Sequence, residues 1–411
     1  MSELLERGRN RLEWARAHMD VLAAVRTDLV KSRAFRGLRI GMALHVEAKT
    51  GVLALTLREA GAEVRLASCN PLSTDDSVVE ALREQGLETY AKKWETDEEY
   101  DAALHKVLDL RPQIVIDDGA DLIYRIHTSR KELLRDVIGA NEETTTGVIR
   151  IRAMEADAKL AFPVFDVNNA MTKHLFDNRY GTGQSTMDGI MTATNLLIAG
   201  KRFVVAGYGW CGRGVAMRAR GMGAHVVVTE IDPIKAIEAK LDGFEVMPML
   251  DAVGAADFVV TATGDKDIVT AKHLRAIKDG CVLANAGHFN VEVSMDDLEK
   301  LATKKRRVRE FVDEYALRGG RKVYVIGEGR LVNLAAGQGH PVEIMDMSFA
   351  IQALCAERLA REGKQMPRRV REVPREIDER VARLKLGSLG VEIDSLTEAQ
   401  KRYLASWTEG T

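Results

Sequence analysis

The feature that most constrains the fold of this chain is a glycine-rich turn between a predicted strand and a predicted helix. The strand is expected at residues 202–206, and the turn carries Gly207, Gly209 and Gly212 in the spacing G-x-G-x-x-G. Glycine lets such a turn tighten and lets the backbone approach a pyrophosphate, whose charge the helix N-terminus then stabilises. The sequence therefore predicts a dinucleotide-binding Rossmann domain.

An acidic side chain indicates which dinucleotide binds. Glu230 follows the next predicted strand, at 225–229. A carboxylate at this place accepts hydrogen bonds from the ribose hydroxyls and repels a 2′-phosphate. We therefore expect the cofactor to be NAD.

Strands and helices alternate on both sides of the turn. Before it, strands are predicted at 38–44, 63–67, 89–91 and 113–116, with helices between them, and after it at 258–262, 281–285 and 322–326. This order is typical of parallel sheets with crossover helices. Because 411 residues exceed what one core usually holds, the predicted fold class is α/β, with two doubly wound parallel-sheet domains and a small C-terminal helical segment.

Charge argues against a nucleic-acid partner. The formal net charge is −2, so no global field attracts nucleic acid or an anionic membrane. The one basic run, at 304–309, is interpreted as the solvated face of a helix, since so few charges do not make a nucleic-acid footprint.

Cysteine spacing bears on whether the chain binds a metal, and the N-terminal sequence bears on where the protein is located. The four cysteines lie far apart, without metal-ligand or disulfide spacing, which predicts reduced thiols and no metal site. The first twenty residues lack the apolar stretch of a signal peptide, and no run of 18 apolar residues occurs. We expect a cytoplasmic protein with no membrane partner.

Several motifs occur in one order along the chain: DDGAD (117–121), EETTTG (142–147), TKHLFDN (172–178), VAGYG (205–209), NAGH (285–288), and EGRLVN (328–333) followed by GHP (339–341). Together they resemble the S-adenosylhomocysteine hydrolase family. The resemblance implies that bound NAD⁺ oxidises the ribose 3′-hydroxyl, which acidifies the 4′ C–H so that the 5′ thiolate is eliminated. Water then adds and the hydride returns, giving adenosine and homocysteine.

The resemblance also implies roles for individual residues. Lys173 and Asp177 are expected beside the 3′ carbon, with Asn178 holding them in register, and His45 with Asp118 on the leaving-group side. The implied substrate contacts are Glu47, Lys49, Thr50, Glu143, Thr144, His288, Gln338, His340, Met345 and Phe349. The implied cofactor contacts are Thr144, Thr145, Thr146, Asn178, Gly207, Gly209, Gly212, Glu230 and Asn333.

Without the resemblance these residues have ordinary interpretations. His45 could be a loop histidine, and the aspartates at 117 and 118 could cap a helix. The pair Lys173 and Asp177 has the i, i+4 spacing of a helix-surface ion pair.

The sequence departs from the family pattern where the base is read. Family members carry His-x-Thr-x-Glu-Thr, whereas this chain has Glu47 and Lys49 at the two variable contacts. Lysine is only a donor, so Lys49 favours a base with a carbonyl at C6, while Glu47 paired with Lys49 would still accept adenine. Adenine is the first prediction and hypoxanthine, in an S-inosylhomocysteine hydrolase, the alternative.

Three further differences are local. Asp75 stands where a Gln is usual, Thr182 where a Cys is usual, and the sequence ends without the Lys- and Tyr-containing tail of familiar members.

The resemblance sets the predicted domain organisation. We expect a substrate domain at 1–168 completed by 342–368, an inserted NAD domain at 169–341, and an assembly segment at 369–411 of a homotetramer. The two rival interpretations are a conventional dehydrogenase that releases NADH and a catalytically silent NAD-binding regulator.

Overall fold

The structure, a computed structural model, describes residues 2–408 and contains two β-sheets surrounded by helices. The strands are β1 Arg39–Ala43, β2 Glu63–Ala67, β3 Glu88–Tyr90, β4 Ile114–Asp117, β5 Gly139–Glu142, β6 Val164–Asp166, β7 Arg202–Ala206, β8 His225–Thr229, β9 Glu245–Val246, β10 Phe258–Thr261, β11 Cys281–Asn285, β12 Ala302–Arg309, β13 Val312–Leu317, β14 Lys322–Ile326 and β15 Val370–Glu372.

The helices connect these strands and cover both sheets. They are α1 Glu3–Ala17, α2 Asp20–Ser32, α3 Ala48–Glu59, α4 Asp76–Glu84, α5 Asp97–Leu108, α6 Asp121–His127, α7 Thr145–Ala156, α8 Met171–Lys173, α9 Thr182–Thr194, α10 Trp210–Gly221, α11 Pro233–Leu241, α12 Met249–Val253, α13 Ala271–Ala276, α14 Met295–Leu301, α15 Val332–Ala335, α16 Val342–Glu362, α17 Arg375–Ser388 and α18 Glu398–Ala405. A π-helical segment, His174–Gly181, joins α8 to α9. Within residues 2–408, no helix has the length and apolar character needed to cross a bilayer.

The first sheet is parallel throughout, in the order β15-β6-β5-β4-β1-β2-β3. Its central strands are short, buried and rich in aliphatic residues, as expected for a sheet covered on both faces. The sequence pattern did not indicate β5, because Asn141 and Glu142 interrupt its apolar character. It also did not indicate β15, so residues 370–372 of the predicted assembly segment lie in the first sheet.

The second sheet has the order β12-β13-β14-β11-β10-β7-β8-β9 and is not entirely parallel. β13 pairs antiparallel with both β12 and β14, which corrects the expectation of a wholly parallel second sheet. The basic run forms the edge strand β12, so its interpretation as a helix face was wrong. Arg306 pairs with Glu314 and Arg307 with Asp313, because the neighbouring strand offers carboxylates directly opposite the basic side chains.

Strand register brings the predicted site residues together. Ala43, Asp117 and Glu142 end adjacent parallel strands in matching register, so the segments that carry His45, Asp118 and Glu143 begin side by side. Ligands of open α/β sheets lie at such carboxyl ends.

Helix α16 carries the chain back from the second sheet to the first. Its residues Met347, Phe349 and Ile351 are buried in the same core as strand β1 and helix α3. The helix therefore presents its inner face both to the first sheet and to the cavity.

Candidate active site

A cavity of about 350 Å³ lies where loops from both sheets meet. Most of the predicted site residues line it: His45, Glu47, Lys49, Thr50, Asp118, Glu143, Thr144, Thr145, Thr146, Lys173, Asp177, Asn178, Gly209, His288, Asn333, His340, Met345 and Phe349. The remaining four, Gly207, Gly212, Glu230 and Gln338, do not line it. Gln338 lines a larger adjoining groove of about 1470 Å³.

One group of side chains in the cavity, here called the lysine cluster, is centred on Lys173. Its Nζ donates to Asp177 Oδ1 at 3.2 Å and to Asn178 Oδ1 at 2.9 Å, and lies 3.3 Å from Glu143 Oε1. All four side chains are buried. They come from the end of α8, the π-helical segment and the loop after β5 and are not exposed, so the alternative of an ordinary helix-surface ion pair is wrong.

Burial and close pairing set the ionisation of the cluster. Burial raises the pKa of Glu143 to about 7, although Lys173 opposes this effect. Burial alone would raise the pKa of Asp177, but Lys173 and His340 hold it below its ordinary value. Burial likewise opposes the charge of Lys173, yet Asp177 and Glu143 raise its pKa above the ordinary value. The free enzyme therefore holds an ammonium between carboxylates, one of which titrates near neutrality.

The second group, here called the histidine pair, consists of His45 and Asp118. His45 Nε2 lies 3.4 Å from Asp118 Oδ2, and His288 Nδ1 from the other sheet lies 3.5 Å from Asp118 Oδ1. Burial lowers the pKa of His45 to about 4 against the opposing effect of Asp118, so its imidazole is neutral at pH 7. Asp118 Oδ1 is buried and has no hydrogen-bond partner in the described part of the chain.

The two neighbouring aspartates have different environments. Asp117 accepts from the N–H groups of Ile123 and Asp118 at 2.9 and 3.1 Å, as a local cap does. Burial raises the pKa of Asp117 to about 7. The capping alternative therefore describes Asp117, whereas Asp118 points into the cavity.

Glu142 connects the loops after β4 and β5 through hydrogen bonds to their backbone. Its Oε1 accepts from the N–H groups of Gly119 at 2.8 Å and Thr144 at 3.0 Å. Burial raises the pKa of its carboxyl group well above the ordinary value. This side chain ties the loop that carries Asp118 to the loop that carries Glu143.

The second sheet offers a cradle that fits NAD. Helix α10 begins after Gly209 without a side-chain cap, so its first N–H groups are free for a phosphate. Gly207 has φ +93°, and a Cβ at Gly212 would overlap the Gly207 carbonyl, so the turn requires glycine at both places.

Glu230 closes the cradle at its outer side. It accepts from the N–H groups of Tyr208 at 2.6 Å and Ile231 at 2.7 Å, which fixes its carboxylate beside the turn. Nearer the cavity, Thr146 Oγ1 and Asn333 Oδ1 are buried without hydrogen-bond partners among residues 2–408. Unpaired buried polar atoms are costly, and the hydroxyl and amide groups of a bound dinucleotide would satisfy them.

A charged pair occupies the third part of the cavity. Lys49 forms an ion pair with Glu47, and its Nζ donates to the main-chain oxygen of Gln338 at 2.8 Å. Gln338 thus meets Lys49 through its backbone and lines the adjoining groove, so its implied contact with the substrate stays a prediction. Glu47 precedes α3 without capping it, which leaves its carboxylate to Lys49.

Sequence reasoning missed the side chains that hold the site residues in place. Ser348 donates to Asp177 at 2.8 Å, and Gln352 donates to Glu143 at 2.6 Å. Ser73 contacts His45 Nδ1 at 2.7 Å, with Cys69 Sγ 3.2 Å from the same nitrogen. Ser348 and Gln352 could have been found as the polar residues, at i and i+4, of the apolar stretch 347–356 of α16, whereas the loop residues gave no such signal.

Comparison with known proteins agrees with this geometry. Residues 2–138 match the model of the family described as S-adenosyl-L-homocysteine hydrolase, and residues 178–339 match that of its NAD-binding domain. The chain is 58% identical to an adenosylhomocysteinase of Thermoplasma acidophilum, over 98% of each chain. It is 55% identical to an S-inosyl-L-homocysteine hydrolase of Methanocaldococcus jannaschii, over 99% of this chain and 98% of that protein.

A solved structure shares the fold alone. Dipicolinate synthase from Bacillus halodurans has a TM-score of 0.50 and 12% identity, over 80% of this chain and 99% of that one. The two family models cover residues 2–138 and 178–339, and the relatives, by contrast with the solved structure, match this chain at more than half of the aligned positions over nearly its whole length. The chain therefore belongs to the S-adenosyl-L-homocysteine hydrolase family and is a hydrolase that uses NAD.

Proposed function

We propose that this enzyme reversibly hydrolyses S-adenosyl-L-homocysteine to adenosine and L-homocysteine, with NAD as a resident redox catalyst. One observation carries the proposal: a single cavity combines a buried lysine–carboxylate cluster with a separate neutral histidine–aspartate pair. The chemistry needs two proton-handling groups, one at the ribose carbons and one at the sulfur. When bound, NAD supplies the acceptor and donor of the hydride at the 3′ carbon.

The lysine cluster handles protons on the ribose. A ribose bound beside Glu143 separates that carboxylate from Lys173 Nζ, 3.3 Å away in the free enzyme, and this loss of its partner lets the ammonium release a proton to solvent. The neutral amine then accepts the 3′-hydroxyl proton, passes it to solvent, and accepts the proton of the 4′ C–H in the next step. Asp177 and Asn178 hold Nζ in place throughout, and Glu143 grips the ribose hydroxyls.

The histidine pair handles protons at the 5′ position. His45 Nε2 and Asp118 Oδ2 are 3.4 Å apart and can share one proton that the pair takes up from solvent. That proton goes to the departing sulfur, and the pair recovers a proton from the water that adds to the 5′ carbon. His288 and His340, both lining the cavity, close over the substrate and help to exclude solvent.

Adenine is the proposed base, read by Glu47. The carboxylate of Glu47 can accept a hydrogen bond from the 6-amino group while it stays paired with Lys49. A second candidate is S-inosyl-L-homocysteine, because Lys49 has three donors and uses one on Glu47 and one on the Gln338 carbonyl. Its third N–H can donate to a carbonyl oxygen at C6.

The test compares both thioethers with NAD-loaded enzyme. Homocysteine is measured as free thiol and NADH by its absorbance, and we expect thiol release without accumulation of free NADH. Stoichiometric free NADH would instead indicate a conventional dehydrogenase. Lys49→Glu should shift the kcat/KM ratio toward the adenine compound by at least about tenfold, whereas the exposed control Lys240→Glu should not; an unchanged ratio in both variants would remove Lys49 from base recognition.

We also propose that the enzyme works in the cytoplasm as a homotetramer. The family resemblance supports this assembly, and so do exposed apolar side chains on α11 and near the C-terminus: Ile234, Leu241, Leu404 and Trp407. Light scattering on the purified protein should give the mass of four chains, and a stable monomer would contradict it.

A further inference from the structure

The histidine pair, Cys69 and His288 form a set of potential metal ligands, and Cys69 is the member of the four that has no role in the proposed reaction. One ligand atom from each of His45, Cys69 and Asp118 lies within 4.8 Å of the others. His288 adds a fourth donor, with Nδ1 at 3.5 Å from Asp118. These residues come from four separate loops, so no sequence spacing indicated them.

Hydrogen bonding offers one nitrogen of His45 to a cation. Ser73 Oγ lies 2.7 Å from His45 Nδ1 and 3.0 Å from the Asn70 carbonyl oxygen. When Ser73 donates to that carbonyl and accepts from Nδ1–H, the ring proton is on Nδ1 and Nε2 presents a lone pair. Metal-bound histidines are typically oriented in this way by a partner on their other nitrogen.

The lone pair of Nε2 faces another acceptor. Asp118 Oδ2 is 3.4 Å away, and Asp118 Oδ1 is buried without a hydrogen-bond partner in the described part of the chain. Two buried acceptors face each other favourably only if a proton or a cation lies between them. Substrate turnover uses a proton there, and the free enzyme can accept a cation instead.

The spacing of the donors suits a tetrahedral ion. Zinc bonds to N, O and S of about 2.0–2.3 Å place neighbouring ligand atoms about 3.3–3.8 Å apart. The nitrogen–oxygen distances from Asp118 to His45 and to His288 are 3.4 and 3.5 Å. Cys69 needs a movement of about 1 Å and the loss of its thiol proton to solvent, both ordinary in metal binding.

We propose that His45, Cys69, Asp118 and His288 form an inhibitory site for a zinc-like divalent cation in the NAD-loaded enzyme free of nucleoside. The thiol and two imidazoles select a borderline-soft ion over Mg²⁺ or Ca²⁺. Because His288 comes from the second sheet and the other ligands from the first, the ion ties the two sheets together and blocks the sulfur side of the cavity. The ligands belong to the proposed active site, but cation binding does not depend on the proposed reaction. Binding can therefore be measured without turnover.

Cobalt(II) is the probe, since a thiolate–Co²⁺ bond gives a charge-transfer band in the near ultraviolet. Titration of NAD-loaded enzyme should show one Co²⁺ per chain with this band, and Zn²⁺ should displace it. Cys69→Ser should abolish the band, whereas the matched control Cys355→Ser, in the buried core of α16, should retain it. Ser73→Ala should weaken Co²⁺ binding about 10–100-fold, because it removes the group that orients His45.

Two results would overturn the proposal: a folded native enzyme without the band at saturating Co²⁺, or a band that persists in Cys69→Ser. If Cys69→Ser does not fold, Asp118→Asn replaces it, and unchanged Co²⁺ affinity in that variant would also overturn the site. Failure of thioether hydrolysis with the band intact would affect the proposed function alone.

Discussion

The lysine cluster and the histidine pair occupy the same cavity but are built differently. Lys173 has three direct polar partners within 3.3 Å, all buried, and Asp177 and Glu143 have further partners on α16. Asp118 lies 3.4 Å from His45, within the first sheet's loops, and 3.5 Å from His288, a contact that joins the two sheets. The first group is thus organised before substrate binds, whereas the second depends on how the sheets approach each other. Oxidation of the ribose needs fixed geometry for hydride transfer, and elimination needs a proton that can move.

The largest expected effect on hydrolysis comes from removing Lys173, the centre of the lysine cluster. Lys173→Ala should reduce hydrolysis by about 10²–10⁴-fold, as for loss of a general acid–base, while NAD stays bound because the glycine turn and Glu230 are untouched. Single-turnover absorbance of enzyme-bound NADH should show that the first oxidation fails. The exposed control Lys240→Ala should be unaffected, and a loss below tenfold in Lys173→Ala would contradict the role given to Lys173.

An intermediate effect is expected in the second group. Asp118→Asn should slow hydrolysis by about 10²-fold but leave formation of bound NADH nearly intact, because only the proton at the sulfur is affected. Rapid-mixing absorbance therefore separates the two groups. If Asp118→Asn and Lys173→Ala failed at the same step, the division of labour between the groups would be wrong.

The smallest effect concerns stability and pH. Burial lowers the pKa of His45 from 6.5 to about 4, so between these values the unfolded chain binds more protons at this position than the folded one. The stability contributed by neutral His45 is therefore present above pH 6.5 and is lost as pH falls toward 4, by roughly 3 kcal/mol at most. Urea unfolding at pH 7 and pH 4.5 should show a smaller loss in His45→Gln than in the native enzyme; an equal loss would mean that His45 is not neutral in the fold.

Short sequence patterns predicted the turns and helix caps, because residues close in sequence determine these features. The turn at Gly207 and the capping role of Asp117 follow from neighbouring residues, and motif order located the cavity residues. The partners Ser348 and Gln352 lie far along the chain from the groups they hold, and periodicity shows that a helix forms but not what its polar side chains meet. Strand β12 was misread for a similar reason, because its basic side chains are paired only once β13 lies beside them.

Because strand β15 follows helix α16 in the chain, the two sheets are completed at different times during synthesis. The second sheet is encoded without interruption between residues 202 and 326 and has all its strands as soon as that stretch leaves the ribosome. The first sheet begins earlier but keeps an open edge at β6 until Val370–Glu372 emerges, and unpaired edges invite association with other chains. The first sheet is therefore completed after the second, and its edge at β6 stays open to aggregation while residues 167–369 are synthesised.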